Sequence, residues 1–336
     1  MQVGRLPHRV AGLIVAVALL AGLMVLASPA EGLSYSPCST GRPGFGATFW
    51  DPYYSPSTTQ MASEVRAQGN VHDSTYVVDW AVDEDANNAT WYPNGLGYPV
   101  FSDMIPKLIN TLAPSGAPLW MGLVVGPGLS SANSNNWTWL ETQVPLFERV
   151  ADDLYRLYGK SITGWYIPSE PGESIVASYD NSYQYGAFLR QIDDYLHTHD
   201  GNKRVMIAPA MPSAIYNNLT PYQFVLQMQP MMAVAHMDIW NLQDGFGMTG
   251  WSAAQEAAGF ALARQYGLQY GSRIWADVYT PNNSTPAQWE PYLQALAPYS
   301  DVLSQWTFPQ YLDPGDTADN PNAAAFYSAY SSYCGG

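Results

Sequence analysis

The feature that most constrains this chain is a cycle that comes round about eight times. A short apolar run ends at a polar or acidic residue, a loop follows, and then a helix-like stretch leads to the next apolar run. The strand-like runs fall at 46–50, 75–80, 118–125, 162–167, 204–208, 237–242, 273–277 and 302–306. Between them, 57–68, 102–111, 137–158, 183–197, 221–231, 252–266, 286–296 and 322–330 read as helices. In 183–197, for example, Phe188, Leu189, Ile192 and Leu196 recur at helical spacing. Strands separated by helices pair in parallel, because each crossover is long enough to return the chain in the same direction. The spacing of roughly 30–45 residues suits βα units with decorated loops. Seven such units would make an open doubly wound sheet. Eight, with a clasp available between the two ends, predict an α/β fold, a single (β/α)8 TIM barrel.

The ends of the chain set its context. Arg5 and Arg9 precede an apolar run over 10–26, and Ser28-Pro29-Ala30 supplies small residues for cleavage. Residues 1–30 therefore read as a signal peptide, with the barrel over 31–336. Uncleaved, the same run would be a short membrane anchor at the cell envelope. Export suits the two cysteines, Cys38 and Cys334, which would pair in an oxidising compartment and staple the first strand to the last helix. Neither has a second Cys or a His at ligand spacing, so no metal site is expected from them.

Charge narrows the partners. With 28 acidic against 13 basic residues the formal net charge is -15, and no basic run occurs. Nucleic acid and anionic membranes, which need Lys and Arg clusters, are not expected partners. His197 and His199 close the fourth helix and read as caps on its last carbonyls. No histidine stands where a Ser-His-Asp triad or a metal cluster would need it, and no cofactor is expected. Asn-x-Ser/Thr sequons occur at Asn88, Asn136, Asn218 and Asn283.

In a barrel of this kind the C-terminal strand ends converge on one face, and polar residues there are the functional candidates. They are Asp51, Asp79, Glu170, Asp244 and Asp277. Trp50, Trp80, Trp165, Trp240, Trp275 and Trp306 are placed around them by the same logic. Several carboxyls rimmed by aromatic rings suit a carbohydrate. Glycoside hydrolysis needs one carboxyl to protonate the leaving oxygen and a second to attack or to activate water. Glu170, between Pro168 and Pro171, is expected to be the general acid, with Asp277 or Asp244 as nucleophile or base. Asp51, Trp50, Asp79, Trp80, Tyr166, Gln243, Trp275, Tyr279 and Trp306 are expected to hold the sugar.

Trp165-Tyr-Ile-Pro-x-Glu170, with Gln243-Asp-Gly245 and Trp275-Ala-Asp277, resembles the family of domain of unknown function 4434. That resemblance implies a secreted glycosidase-like barrel acting on glycans and names no substrate. The plan is also similar to retaining barrel glycosidases with an acid/base Glu ending strand four and a nucleophilic Glu ending strand seven. Glu170 matches the first position, although Ser169 stands where those enzymes carry Asn. Strand seven offers Asp277 where they carry Glu, which leaves Asp244 in competition and the choice between retention and inversion open. The expectation is a secreted, monomeric glycoside hydrolase. The rival expectation, supported by the missing strand-seven Glu, is a catalytically silent glycan-binding barrel.

Overall fold

Eight parallel strands close on themselves in a computed structural model that describes residues 38–335, apart from 55, 72–74, 127–135, 213–218, 245–249, 281–283 and 316–319. Residues 1–30, expected to be a signal peptide, His72 and the sequons at Asn218 and Asn283 lie outside the described residues. The barrel strands are β1 (Ala47–Trp50), β2 (Thr75–Val78), β3 (Leu119–Gly122), β4 (Gly164–Ile167), β5 (Arg204–Ile207), β6 (Ile239–Gln243), β7 (Arg273–Tyr279) and β8 (Val302–Trp306). Each is bonded to its neighbours in the sequence series. Closure is visible at Ala47, which pairs with Thr75 of β2 on one side and Ser304 of β8 on the other.

Alternation along the strands sorts two cores. Phe49, Val77, Trp120, Tyr166, Met206, Ile239 and Trp275 fill the barrel interior. Their neighbours Trp50, Val78, Met121, Trp165, Ile207, Trp240 and Ile274 face the helices in a larger outer core. The interior fills by pairing large with small. Trp120 lies opposite Gly164, and a Cβ on Gly164 would come within 2.5 Å of the Trp120 ring.

The longer helices are α1 (Thr58–Asn70), α2 (Met104–Leu112), α3 (Trp137–Tyr158), α4 (Tyr179–His199), α5 (Pro221–Ala235), α6 (Ala253–Tyr270), α7 (Pro286–Leu296) and α8 (Ala323–Cys334). Ser57, Asn136, Ser178, Thr220 and Ser252 cap helix starts by accepting backbone N–H groups, which fixes where each loop above the barrel ends. Cys38 and Cys334 are bonded. The Tyr330 hydroxyl of α8 also accepts the Phe45 N–H at 2.7 Å, so α8 fastens the segment that enters β1.

Two strands depart from the sequence reading. The run at 118–125 divides at Leu123, whose carbonyl accepts the N–H groups of both Ala81 and Val82. Val124–Val125 leaves the barrel there and joins Val82–Asp83 and Ala89–Thr90 in a three-stranded side sheet. Strand β7 runs two residues further than expected, so Asp277 lies inside it rather than at its end.

Candidate active site

The period of two that builds the interior also builds the site. On β1 and β2 an inward apolar residue is followed two positions on by a carboxylate, Phe49 by Asp51 and Val77 by Asp79. On β6, Ile239 is followed by Asn241 and Gln243. On β7, Trp275 is followed by Asp277 and Tyr279, and on β8, Val302 by Ser304 and Trp306. The apolar plug thus gives way to a polar floor at the C-terminal end of the barrel, where Glu170 arrives from the β4 loop.

The carboxyls feel one another. Asp79 is buried and held well above the usual carboxylate range, first by desolvation and then by the charges of Glu170, Asp51 and Asp277. Asp277, only 4% exposed, is pushed up to about 8, mainly by burial and then by the charge of Asp244. The Ser304 hydroxyl, 3.2 Å from Asp277 Oδ1, opposes that rise. Glu170 is open to solvent at the mouth, yet protein stands around it on most sides, and that desolvation raises its carboxyl. Gln243 Nε2 donates to Glu170 Oε1 at 2.8 Å, which favours the charged form and fixes the side chain. Gln243 is itself anchored on the Ala208 carbonyl at 3.2 Å. Ser169 is buried and its hydroxyl pairs with the Tyr185 phenol of α4, so the residue before Glu170 braces the loop.

Several sequence-predicted residues lie elsewhere. Trp50 is fully buried in the outer core, 6.4 Å from the Tyr76 ring, because alternation turns it away from the inward Phe49. Trp165 and Trp240 face the helices for the same reason. Asp244 follows the inward Gln243, is fully buried, and accepts the Tyr279 N–H at 3.0 Å while its own N–H donates to the Asp277 carbonyl at 2.9 Å. It laces β6 to β7 and offers no surface to a substrate. Tyr166 and Trp275 point inward but are almost wholly covered, Tyr166 packed on Phe49 and Trp275 on Trp120. Trp80, Tyr279 and Trp306 are half-buried at the mouth end of their strands, with Tyr279 edge-on to Tyr311 and Trp306 against Phe49. Asp51 is held by Gln310 Nε2 at 3.0 Å and by the Tyr53 N–H at 2.8 Å.

The match of a family model for a domain of unknown function, DUF4434, covers residues 69–319. The chain belongs to that family. No curated protein sequence matches it. Among solved structures, a provisionally assigned alpha-L-fucosidase from Bacteroides thetaiotaomicron VPI-5482 superposes with a TM-score of 0.67 at 16% identity, over 92% of this chain and 98% of that one. The endo-beta-1,4-mannanase of Thermotoga petrophila gives 0.59 at 11% identity, over 86% and 76%. That of Rhizomucor miehei gives 0.54 at 11% identity, over 88% and 96%. At such identities these likenesses establish the fold, and function has to be argued from the site.

Three features of this DUF4434 barrel escaped the sequence reading. Ser304 and Asn241 lie beneath Asp277, 3.0 Å apart, and the period of two from Trp306 and Gln243 would have found them. Tyr53 and Phe101, both substantially exposed, pack edge-on against each other and around Trp91, with Trp80 also touching Tyr53. They form an aromatic ledge beside Asp51 and Asp79. The Tyr53 hydroxyl donates to Asp83 Oδ2 at 2.6 Å, which pushes the phenol up to about 12. The histidines do not cap carbonyls. His199 Nε2 lies 2.7 Å from Asp152 Oδ1, and His197 Nε2 lies 3.2 Å from Asp238 Oδ2. Asp193, His197 and Asp238 bring ligand-type atoms within 4.8 Å of one another, at the opposite end of the barrel from Glu170. Among the described residues, those three are the cluster that could hold a metal ion.

Proposed function

We propose that this chain is a secreted glycoside hydrolase acting on a poly- or oligosaccharide, with Glu170 and Asp277 as its carboxyl pair. The observation that carries the proposal is the pairing itself. Glu170, from the loop that follows β4, acts by its charge on Asp277 of β7, and both carboxyls are raised by burial, so the pair retains a proton in the range where hydrolysis needs one. Glu170, the accessible member, gives that proton to the leaving oxygen. Asp277, ionised, attacks the sugar carbon or activates water on the opposite face. Gln243 aims Glu170, and Ser304 steadies the charged form of Asp277. The disulfide supports an oxidising, extracellular setting.

One observation favours a second order of roles. Asp277 holds its proton up to about 8, while Gln243 favours ionised Glu170. Asp277 would then be the acid and Glu170 the nucleophile. A polysaccharide panel assayed with wild type, Glu170→Gln and Asp277→Asn tests the pair, and both variants are expected to fold and to release no product. Full activity in either removes that residue from the mechanism. Azide rescue of Glu170→Ala or Asp277→Ala decides the roles in a retaining enzyme, since only the nucleophile variant yields a glycosyl azide of inverted configuration. Glycan binding by wild type without product across the panel would identify a binding barrel instead.

A further inference from the structure

The cations of this chain are kept away from one end of the barrel. In sequence, the eight segments that join a strand end to the following helix (51–57, 79–103, 123–136, 168–178, 208–220, 244–252, 280–285 and 307–322) hold twelve Asp and Glu and no Lys, Arg or His. Beyond the N-terminal segment, Arg42, Lys160, Lys203, Arg204 and Arg273 stand at or before strand starts, at the far end of the barrel. The remaining cations ride on the helices. Lys107, in the first turn of α2 and so nearest the mouth end, is held by Asp103 at 2.7 Å.

A second observation points inward. Asp79 is 6% exposed, and among the described residues its carboxyl receives no hydrogen bond, while Glu170, Asp51 and Asp277 all act on it as like charges. A buried carboxyl with like charges around it and no donor is costly unless a ligand supplies what the protein does not. The described mouth carboxyls do not converge on one point as ion ligands would, since the converging cluster is Asp193, His197 and Asp238. Spread charge with a donor-starved Asp at its centre suits spread positive charge in the ligand.

We propose that the glycan accepted at this mouth is cationic, an oligo- or polysaccharide of amino sugars with free ammonium groups, one of which pairs with Asp79. The inference rests on the glycan-active reading of the same site and adds the substrate's charge. A uronate or sulfated chain would bring anions to a face that has no cation in its loops. A neutral chain would offer Asp79 hydroxyl donors but no counter-charge against Glu170, Asp51 and Asp277. An ammonium group gives Asp79 both a counter-charge and N–H donors. The exposed rings of Tyr53 and Phe101 add faces that attract both sugar C–H groups and cations.

The test is binding to Glu170→Gln, in which turnover is blocked, measured by calorimetry at low and at 0.5 M salt. The probes are α- and β-linked glucosamine and galactosamine oligomers, each beside its fully N-acetylated twin, with an oligouronate as the anionic control. At least one free-amine oligomer should bind about tenfold or more tighter than its twin. That preference should shrink in high salt and fall to near parity in the double variant with Asp79→Asn. The inference is overturned if no free-amine form is preferred. It is equally overturned if the preference survives Asp79→Asn undiminished, because the acidic surface at large would then be adsorbing a polycation. The two readings fail separately. Wild type that cleaves only the N-acetylated twins keeps the hydrolase and loses the charge inference. Asp79-dependent binding of free-amine oligomers with no product from wild type keeps the charge inference and loses the hydrolase.

Discussion

Replacing Asp277 with Asn should make the protein more stable while removing its activity, and the gain should grow with pH. Asp277 sits among Trp275, Ser304 and Asn241 with 4% of its surface exposed, and its carboxyl is raised from 3.8 to about 8. In the unfolded chain it ionises as an ordinary carboxylate. A group whose folded value is raised adds no penalty below its unfolded value, and folding loses stability as pH climbs toward the folded value. Each pH unit in that window costs about 1.4 kcal/mol. At pH 7 the penalty is therefore about 4 kcal/mol, an upper figure because water and side chains relax around a forced charge. Asn has the same shape, stays neutral, and still accepts from Ser304. Urea unfolding of wild type and Asp277→Asn at pH 4.5, 6 and 7.5 reads the difference. The variant's advantage should be slight at pH 4.5 and several kcal/mol at pH 7.5. Asp79 and Asp193 are also raised by burial, but they remain in both proteins and largely cancel from the comparison. A gap that stays constant across this range, or a wild type that is the more stable at pH 7.5, would refute the claim that burial keeps Asp277 protonated.

Gln243→Leu removes the donor that holds Glu170 toward its charged form, so the Glu170 carboxyl should rise further. If Glu170 is the acid, the alkaline limb of kcat/KM moves to higher pH, and an unmoved limb assigns that limb to another group. Trp50→Ala should cost about 3–5 kcal/mol of stability because it hollows the outer core. Trp80→Ala, at the half-buried ledge, should instead raise KM with a much smaller change in Tm, and equal effects from the two would contradict the alternation that separates them. Replacing both Cys38 and Cys334 with Ser opens a link spanning a sequence separation of 296 and should lower stability by about 2–5 kcal/mol, read from denaturant midpoints.

What was legible in the sequence was whatever repeats. Eight apolar runs at βα spacing give the barrel, and helices 137–158 and 286–296 match their structural bounds because caps mark both starts. Glu170 was legible because Pro168 and Pro171 bracket it just after a strand. The errors share one cause. Trp50, Trp165, Trp240 and Asp244 were placed at the mouth because they stand near strand ends, but nearness to an end does not say which side of the sheet a residue takes. Parity does, and one shift of position turns every side chain over. Counted outward from the plug at Phe49, Val77 and Trp275, parity selects Asp51, Asp79 and Asp277. Counted from Ile239 it keeps Gln243 and rejects Asp244. Which of Asp277 and Asp244 faces the barrel interior could thus have been read from the sequence, had one inward residue on each strand been known. The plug supplies that reference, and it exists only once the strands have closed. The absence of cations from the eight loops needs no parity at all, since it holds whichever way the side chains point. It becomes a statement about one face only when the fold gathers those loops at one end of the barrel.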